Sequence, residues 1–146
     1  MLNNYWDFEG LRVLDLFSGT GNIAYEFACR DALIVFAVDA NNKCVRFIEK
    51  TGDQLELNNL VPLKADAFRY LKQTNRTFDI VFADPPYDLD GIETIPGIVF
   101  DKGLLNPGGW LIVEHGKHTE FPDHSFLRDA RRYGKVHFSI FEMPEE

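Results

Sequence analysis

At 146 residues, 45% hydrophobic and 26% charged, the chain has the size and make-up of one globular domain, expected to span residues 1–146. No stretch approaches the roughly 20 apolar residues of a membrane span, and Met1-Leu2-Asn3-Asn4-Tyr5-Trp6-Asp7 has neither the basic start nor the apolar core of a signal peptide. A net charge of −8 excludes a uniformly basic nucleic-acid binder and leaves only a local basic field for such a role.

Residues 1–10 carry Tyr5, Trp6 and Phe8, an aromatic lead-in expected to pack on the domain and end at Gly10. Residues 12–17 predict the first strand. Ser18-Gly19-Thr20-Gly21 predicts a tight turn, and residues 22–30 a helix with Ile23, Ala24, Phe27 and Ala28 facing in. Strand, glycine turn and helix in that order bring backbone N–H groups close to a ligand. Gly19 permits the turn, and Gly21 lets ligand and helix approach without a Cβ. Residues 33–38 predict a second strand ending at Asp39, residues 43–57 a helix, residues 61–65 a third strand reaching Asp66, and residues 67–73 a short helix. Cys29 and Cys44 fall in the first two helices and are expected as buried free thiols rather than a disulfide or metal site.

After a polar loop at 74–77, Phe78-Asp79-Ile80-Val81-Phe82-Ala83 contains a continuous apolar run, suited to a strand buried on both faces. It stops at Asp84-Pro85-Pro86-Tyr87, where two prolines remove two donors and end the ladder. A carboxylate, a rigid carbonyl and an aromatic ring are thereby placed at the carboxyl end of a central strand, where open α/β sheets bind ligands. Residues 88–91 predict a loop and 92–105 a weak helix with a candidate break at Pro96-Gly97. Asn106-Pro107-Gly108-Gly109 is a turn signal, 110–113 a fifth strand running to Glu114-His115, and 116–125 polar and irregular. Residues 126–133 and 136–141 predict a closing hairpin around Gly134, the first arm ambiguous in period. The alternation gives an α/β, doubly wound, mostly parallel sheet with an antiparallel C-terminal hairpin at one edge.

Gly19-Thr20-Gly21-Asn22-Ile23-Ala24 fits the dinucleotide pattern G-x-G-x-x-A, with Asp39 at the spacing of a ribose-binding acid. Alone, it does not separate NAD from S-adenosylmethionine. Asp15, four residues before Gly19, suits a cationic methionine moiety and would repel a pyrophosphate. Hydride transfer also has no use for Asp84-Pro85-Pro86-Tyr87. An exocyclic amine is a poor nucleophile because its lone pair is delocalised into the ring. Asp84 and the Pro85 carbonyl can accept its two N–H bonds and aim the lone pair at a methyl donor. Tyr87 can stack on the base.

On these residues the chain resembles the S-adenosylmethionine-dependent amino methyltransferases, of the Rossmann-like class I fold. With Leu14-Asp15-Leu16-Phe17-Ser18-Gly19-Thr20-Gly21 upstream, it most resembles the bacterial 16S rRNA (guanine-N2) methyltransferase family. The resemblance implies S-adenosyl-L-methionine as cofactor, held by Asp15, Phe17, Gly19, Gly21, Asp39, Asp66, Ala67 and Asp84. It implies Asp84, Pro85 and Tyr87 as catalytic residues. It also implies 16S rRNA or the small ribosomal subunit as partner, and a cytoplasmic monomer without metal or membrane. Members of that family normally carry a basic, partly helical segment before Gly10. None precedes it here, and part of the cofactor cover and RNA surface is expected to go with it.

Plainer readings stand beside these. Asp39 and Asp66 suit helix N-caps as well as ribose and adenine contacts, Phe68 suits the core, and Asp84-Pro85-Pro86-Tyr87 suits a proline-rich turn. His115, His118 and His124 are expected as solvated loop histidines, with a minor substrate role open for Glu114 or His115. Arg128, Arg131, Arg132 and Lys135 suit either phosphate contact or protection of an edge strand. Alternatives to the nucleobase methyltransferase are an N-methyltransferase acting on a protein or small molecule, and a catalytically silent subunit that keeps the fold. An NAD-binding protein ranks last.

Overall fold

The computed structural model describes residues 7–119, 121 and 125–145. Tyr5, Trp6 and His124 lie outside the described residues. Of the aromatic lead-in, Phe8 is buried with its ring edge-on to Phe27, 5.0 Å between centroids.

Five strands run parallel: β1 (Arg12–Leu16), β2 (Ile34–Asp39), β3 (Leu60–Lys64), β4 (Phe78–Ala83) and β5 (Leu105–His115). The hairpin of β6 (Leu127–Tyr133) and β7 (Val136–Glu142) completes the sheet, with β7 antiparallel to β5. The order is β3-β2-β1-β4-β5-β7-β6, the doubly wound sheet with an antiparallel edge that the sequence predicts. Chain order reverses between β1 and β4, so their carboxyl ends frame the crevice where such sheets take ligands.

Strand alternation divides the core. Leu14, Leu16, Val81 and Ala83 point to one face, packed under α3 (Ala67–Gln73) and α4 (Ile95–Asp101) through Leu71, Ile95 and Val99. Val13, Val35, Ile80 and Phe82 point to the other, under α1 (Asn22–Cys29) and α2 (Asn42–Gln54) through Ala24, Phe27 and Ile48. Strands covered on both sides read as unbroken apolar runs.

Several expectations need correction. Cys29 is exposed and Cys44 half-buried, because the inward stripe of α1 is Ala24, Phe27 and Ala28 and Cys29 falls outside it. Ile23 sits at the rim of that stripe and is exposed. The second helix ends at Gln54 rather than Leu57. Glu56 turns left-handed at φ 57, the Leu57 N–H donates to the Gly52 carbonyl at 2.9 Å and the Glu56 N–H to that of Asp53. This is a Schellman stop without its usual glycine. Pro96 does not break the fourth helix. It lies in the first turn of α4, after a 3₁₀ turn at Ile92–Thr94, where no N–H is needed.

Asn106-Pro107-Gly108-Gly109 lies within β5 rather than ahead of it. The β4–β5 register shifts between Phe78 and Ile80, a bulge that absorbs the proline and a left-handed Gly108 at φ 79. The segment stays in the sheet because Gly108 N–H donates to Met143 O and Met143 N–H to Gly109 O. Asp79 locks it further, accepting from Arg12 N–H at 2.8 Å and Asn106 Nδ2 at 3.1 Å. A Cβ on Gly109 would lie 2.9 Å from Asn106 O and 3.0 Å from Asp79 O, both backbone atoms. Gly109→Ala is therefore expected to cost about 1–3 kcal/mol by overpacking, read as a lowered urea midpoint. An unchanged midpoint would show that the bulge opens freely.

Candidate functional site

A cavity of about 610 Å³ opens at the carboxyl ends of the central strands. Of the ten positions singled out from the sequence, eight line it: Phe17, Gly19, Asp39, Asp66, Ala67, Asp84, Pro85 and Tyr87. Asp15 and Gly21 do not. Val38, Ala65 and Leu89 supply apolar wall that sequence reasoning missed. Their signal was position: Val38 and Ala65 each sit one residue before a singled-out acid.

The glycine turn is held by the acid of the neighbouring strand. Asp39 Oδ2 accepts from the Gly19 N–H at 2.9 Å, and Oδ1 accepts from Asn41 N–H at 2.8 Å. The cap of α2 is Asn41, whose Oδ1 takes the Lys43 and Cys44 N–H groups. Asp39 is thus relieved of the capping role and keeps lone pairs toward the cavity. Ser18 Oγ reaches the carbonyls of Asp15 and Val38, at 2.8 and 3.1 Å, tying the ends of β1 and β2. Phe17 takes φ 59, a costly value for an aromatic residue, at the cavity wall and edge-on to Phe68. Gly21 serves packing. It sits at φ 91, and a Cβ there would come within 2.7 Å of the Tyr25 ring. Asp66 caps α3, its Oδ2 accepting from Arg69 N–H at 3.0 Å, while also lining the cavity.

Asp15 lies behind the turn. It is 2% exposed, and its Oδ2 has no hydrogen-bond partner among the described residues. Burial, aggravated by the charges of Asp84 and Asp39 and only partly offset by Ser18, pushes its carboxyl up to about 8. An orphaned buried carboxyl oxygen beside a glycine turn calls for a cation or donor. Asp39 and Asp66 around an apolar wall supply acceptors for hydroxyl and amino groups. The residues present fit a nucleoside that carries a positive charge.

The second half of the site comes from the β4–β5 pairing. Ala83 pairs with Val113, so the next residues, Asp84 just past the end of β4 and Glu114 still within β5, stand side by side. Crowding by protein atoms, together with the charge and hydrogen bonding of Glu114, pushes the Asp84 carboxyl up to about 7. Asp84 nevertheless remains open to the cavity. The half-exposed Tyr87 donates its hydroxyl to Glu114 Oε2 at 3.3 Å, and partial burial with the two carboxylates pushes the phenol up. The ring of Tyr87 lies against Gly116. Glu114 is a neighbour of Asp84 and Tyr87 that the sequence only hinted at.

His115 is not a loop histidine. It ends β5, is 6% exposed, and contacts the Gly116 carbonyl through Nδ1 at 2.9 Å and Ser139 Oγ through Nε2 at 2.8 Å. A carbonyl only accepts, so Nδ1 carries the proton and Nε2 accepts from the serine hydroxyl. Burial lowers its pKa and keeps it neutral. The basic cluster divides as well: Arg128 pairs with Glu142 and Arg131 with Asp129. Arg132 and Lys135 line a cavity next to Tyr87.

A seven-stranded sheet of this order, with crevice acids at or just past the ends of its second, third and fourth strands, defines a class I methyltransferase fold, and solved structures agree. A candidate methylase from Haemophilus influenzae superposes with TM-score 0.87 at 22% identity over 99% of this chain and 94% of its own, a likeness of fold. A conserved protein from Streptococcus pyogenes superposes with TM-score 0.83 at 28% identity, over 93% of this chain and 88% of its own. The family is shown by sequence: residues 1–142 match its model, and the chain belongs to the family described as Conserved hypothetical protein 95. Ribosomal RNA small subunit methyltransferase D of Buchnera aphidicola is 25% identical over 132 residues, covering 88% of this chain and 67% of that enzyme. The chain spans about two thirds or less of the length of the curated relatives it matches.

Two outcomes follow from the carboxylates. Folding raises the Asp15 pKa above its unfolded value, so the folded state holds the proton more tightly and stability falls as pH rises from about 4 to about 8. Asp15→Asn removes that proton and is expected to stabilise the ligand-free protein at pH 7 by on the order of 2 kcal/mol. Thermal melts should show the gain vanish near pH 4; a pH-independent difference would assign it to packing. Glu114→Gln should bring the Asp84 pKa down from about 7, read by carbon NMR titration of its carboxyl. No movement would leave burial as the sole cause.

Proposed function

We propose that the protein transfers a methyl group from S-adenosylmethionine to an exocyclic amine of an RNA base, with guanine N2 of 16S rRNA as the target and the cytoplasm as the setting. The observation that carries this reading is the joining, in one cavity, of the Asp39–Gly19 clamp and the end of the Asp84-Pro85-Pro86-Tyr87 strand. The names of the small-subunit methyltransferase relatives support the RNA target. Asp39 would take the ribose hydroxyls with its remaining lone pairs, and Asp66 with the Ala67 N–H would meet the adenine edge. Phe17 and Leu89 would close on the ring. Asp15 would ionise behind the methionine moiety, its proton loss favoured by the positive charge.

When bound, the donor would supply an electrophilic methyl on a sulfonium, the N–C bond forming from the amine lone pair as the S–C bond breaks to leave a neutral thioether. Asp84 and the Pro85 carbonyl would accept the two amine N–H bonds and hold the lone pair in line. Such orientation and electrostatic preorganisation can each contribute several kcal/mol. Tyr87, tethered to Glu114 at 3.3 Å, would present its ring for the base to stack on, worth about 1–3 kcal/mol. The methylated nitrogen then sheds a proton to Asp84 or to water. Asp84 accepts only when ionised, so with its carboxyl near 7 the rate should climb as pH rises through neutrality.

The test is transfer of a labelled methyl group to small ribosomal subunits lacking the modification, followed by mapping of the labelled base. Label at a guanine N2 is expected. Asp84→Ala should keep donor affinity by calorimetry within about threefold and lose at least about 1,000-fold in transfer rate. Undiminished transfer would remove Asp84 from the chemistry, and label on protein would move the substrate to another class.

A further inference from the structure

Beyond Tyr87 the structure opens a second cavity, of about 590 Å³. Tyr87 belongs to both walls, so its ring partitions the candidate methyl-transfer cavity from this one. The second cavity is basic. Lys117, Arg132 and Lys135 line it with His118 and His137, and no carboxylate is among its described lining residues. In a chain of net charge −8 that concentration is not a sample of the average surface. It is assembled from distant segments: Lys117 and His118 follow β5, and the others flank the turn of the β6–β7 hairpin. Gly116 holds them to the partition, lying flat against the Tyr87 ring, with a Cβ there at 3.5 Å from it. Arg132 Nε donates to the Gly134 carbonyl at 2.9 Å, which fixes the guanidinium at the hairpin turn. Arg128 and Arg131 are engaged with Glu142 and Asp129 and do not line this cavity.

We infer that this second cavity binds the phosphodiester backbone of the RNA strand beside the target nucleotide. Cations on short loops, with no acid among the described lining residues, suit phosphate oxygens, and such contacts position a strand without reading its sequence. The shared Tyr87 gives the division of labour. A base turned into the first cavity stacks on one side of the partition while its neighbouring phosphates rest in the second. A protein that repels RNA over most of its surface thereby admits the strand along one path. The inference rests on the RNA-methyltransferase reading above.

The experiment uses the whole chain and the same unmodified small subunits. Lys117→Ala with Lys135→Ala, both exposed, is compared with Lys50→Ala and Lys72→Ala, which remove the same charge from residues lining neither cavity. The cavity pair should raise KM for subunits about tenfold, leave kcat and donor affinity within about twofold, and flatten the salt dependence of binding by roughly 0.7 per lost phosphate contact. The control pair should do none of this. If the wild type methylates subunits and the cavity pair matches it in KM and salt slope, this inference is overturned while the activity stands. If the wild type transfers no methyl to RNA and shows no salt-dependent RNA binding, the underlying reading falls, and this one with it. A fall in kcat with KM unchanged would overturn the backbone role, making the lysines part of the transfer site.

Discussion

Everything at the site depends on β4 stopping at Ala83 while its neighbour β5 runs on beside it. Proline removes the donors that would carry β4 past Ala83, and the β4–β5 register sets Asp84 beside Glu114. Burial first, and the neighbouring Glu114 second, push the Asp84 carboxyl up to about 7. The same pairing recruits Tyr87 as a donor to Glu114. A carboxyl, a carbonyl and a ring are therefore oriented by backbone constraint and the Tyr87–Glu114 hydrogen bond, before any ligand arrives.

The other half of the crevice is preorganised differently. Asp39 spends one oxygen on the Gly19 N–H and the other on that of Asn41, which fixes the turn across the gap between β1 and β2. Ser18 bridges the same two strands. Phe17 accepts a left-handed backbone at the wall, a strain sustained because its neighbours are over-determined. Asp15 is the opposite case, a buried acid with an unmet oxygen that depresses ligand-free stability above pH 4 and would be relieved by a cation.

Charge is organised by side. The cavity at the strand ends is ringed by Asp39, Asp66 and Asp84, and the cavity across Tyr87 by Lys117, Arg132 and Lys135. A net charge of −8 therefore coexists with a basic path, because a field at short range is set by the nearest charges and screened within about 10 Å of solvent. Among the described residues no helix is long and apolar enough to cross a membrane.

The alternation of apolar runs with amphipathic ones determined the doubly wound sheet, and the glycine turn with Asp84-Pro85-Pro86-Tyr87 marked its crevice, because period and proline are local properties. Eight of the ten positions singled out line that crevice for that reason: each ends a strand or follows one, and parallel strands end together. Only the tertiary structure decided what depends on neighbours across the sheet. The Asp84–Glu114 pair is a matter of register, the burial of His115 a matter of β7 lying against β5, and the ion pair of Arg128 a matter of Glu142 lying beside it on β7. Asn106-Pro107-Gly108-Gly109 reads as a turn because turn propensity is local. It became strand because Met143 and Asp79, far away in sequence, take up its hydrogen bonds.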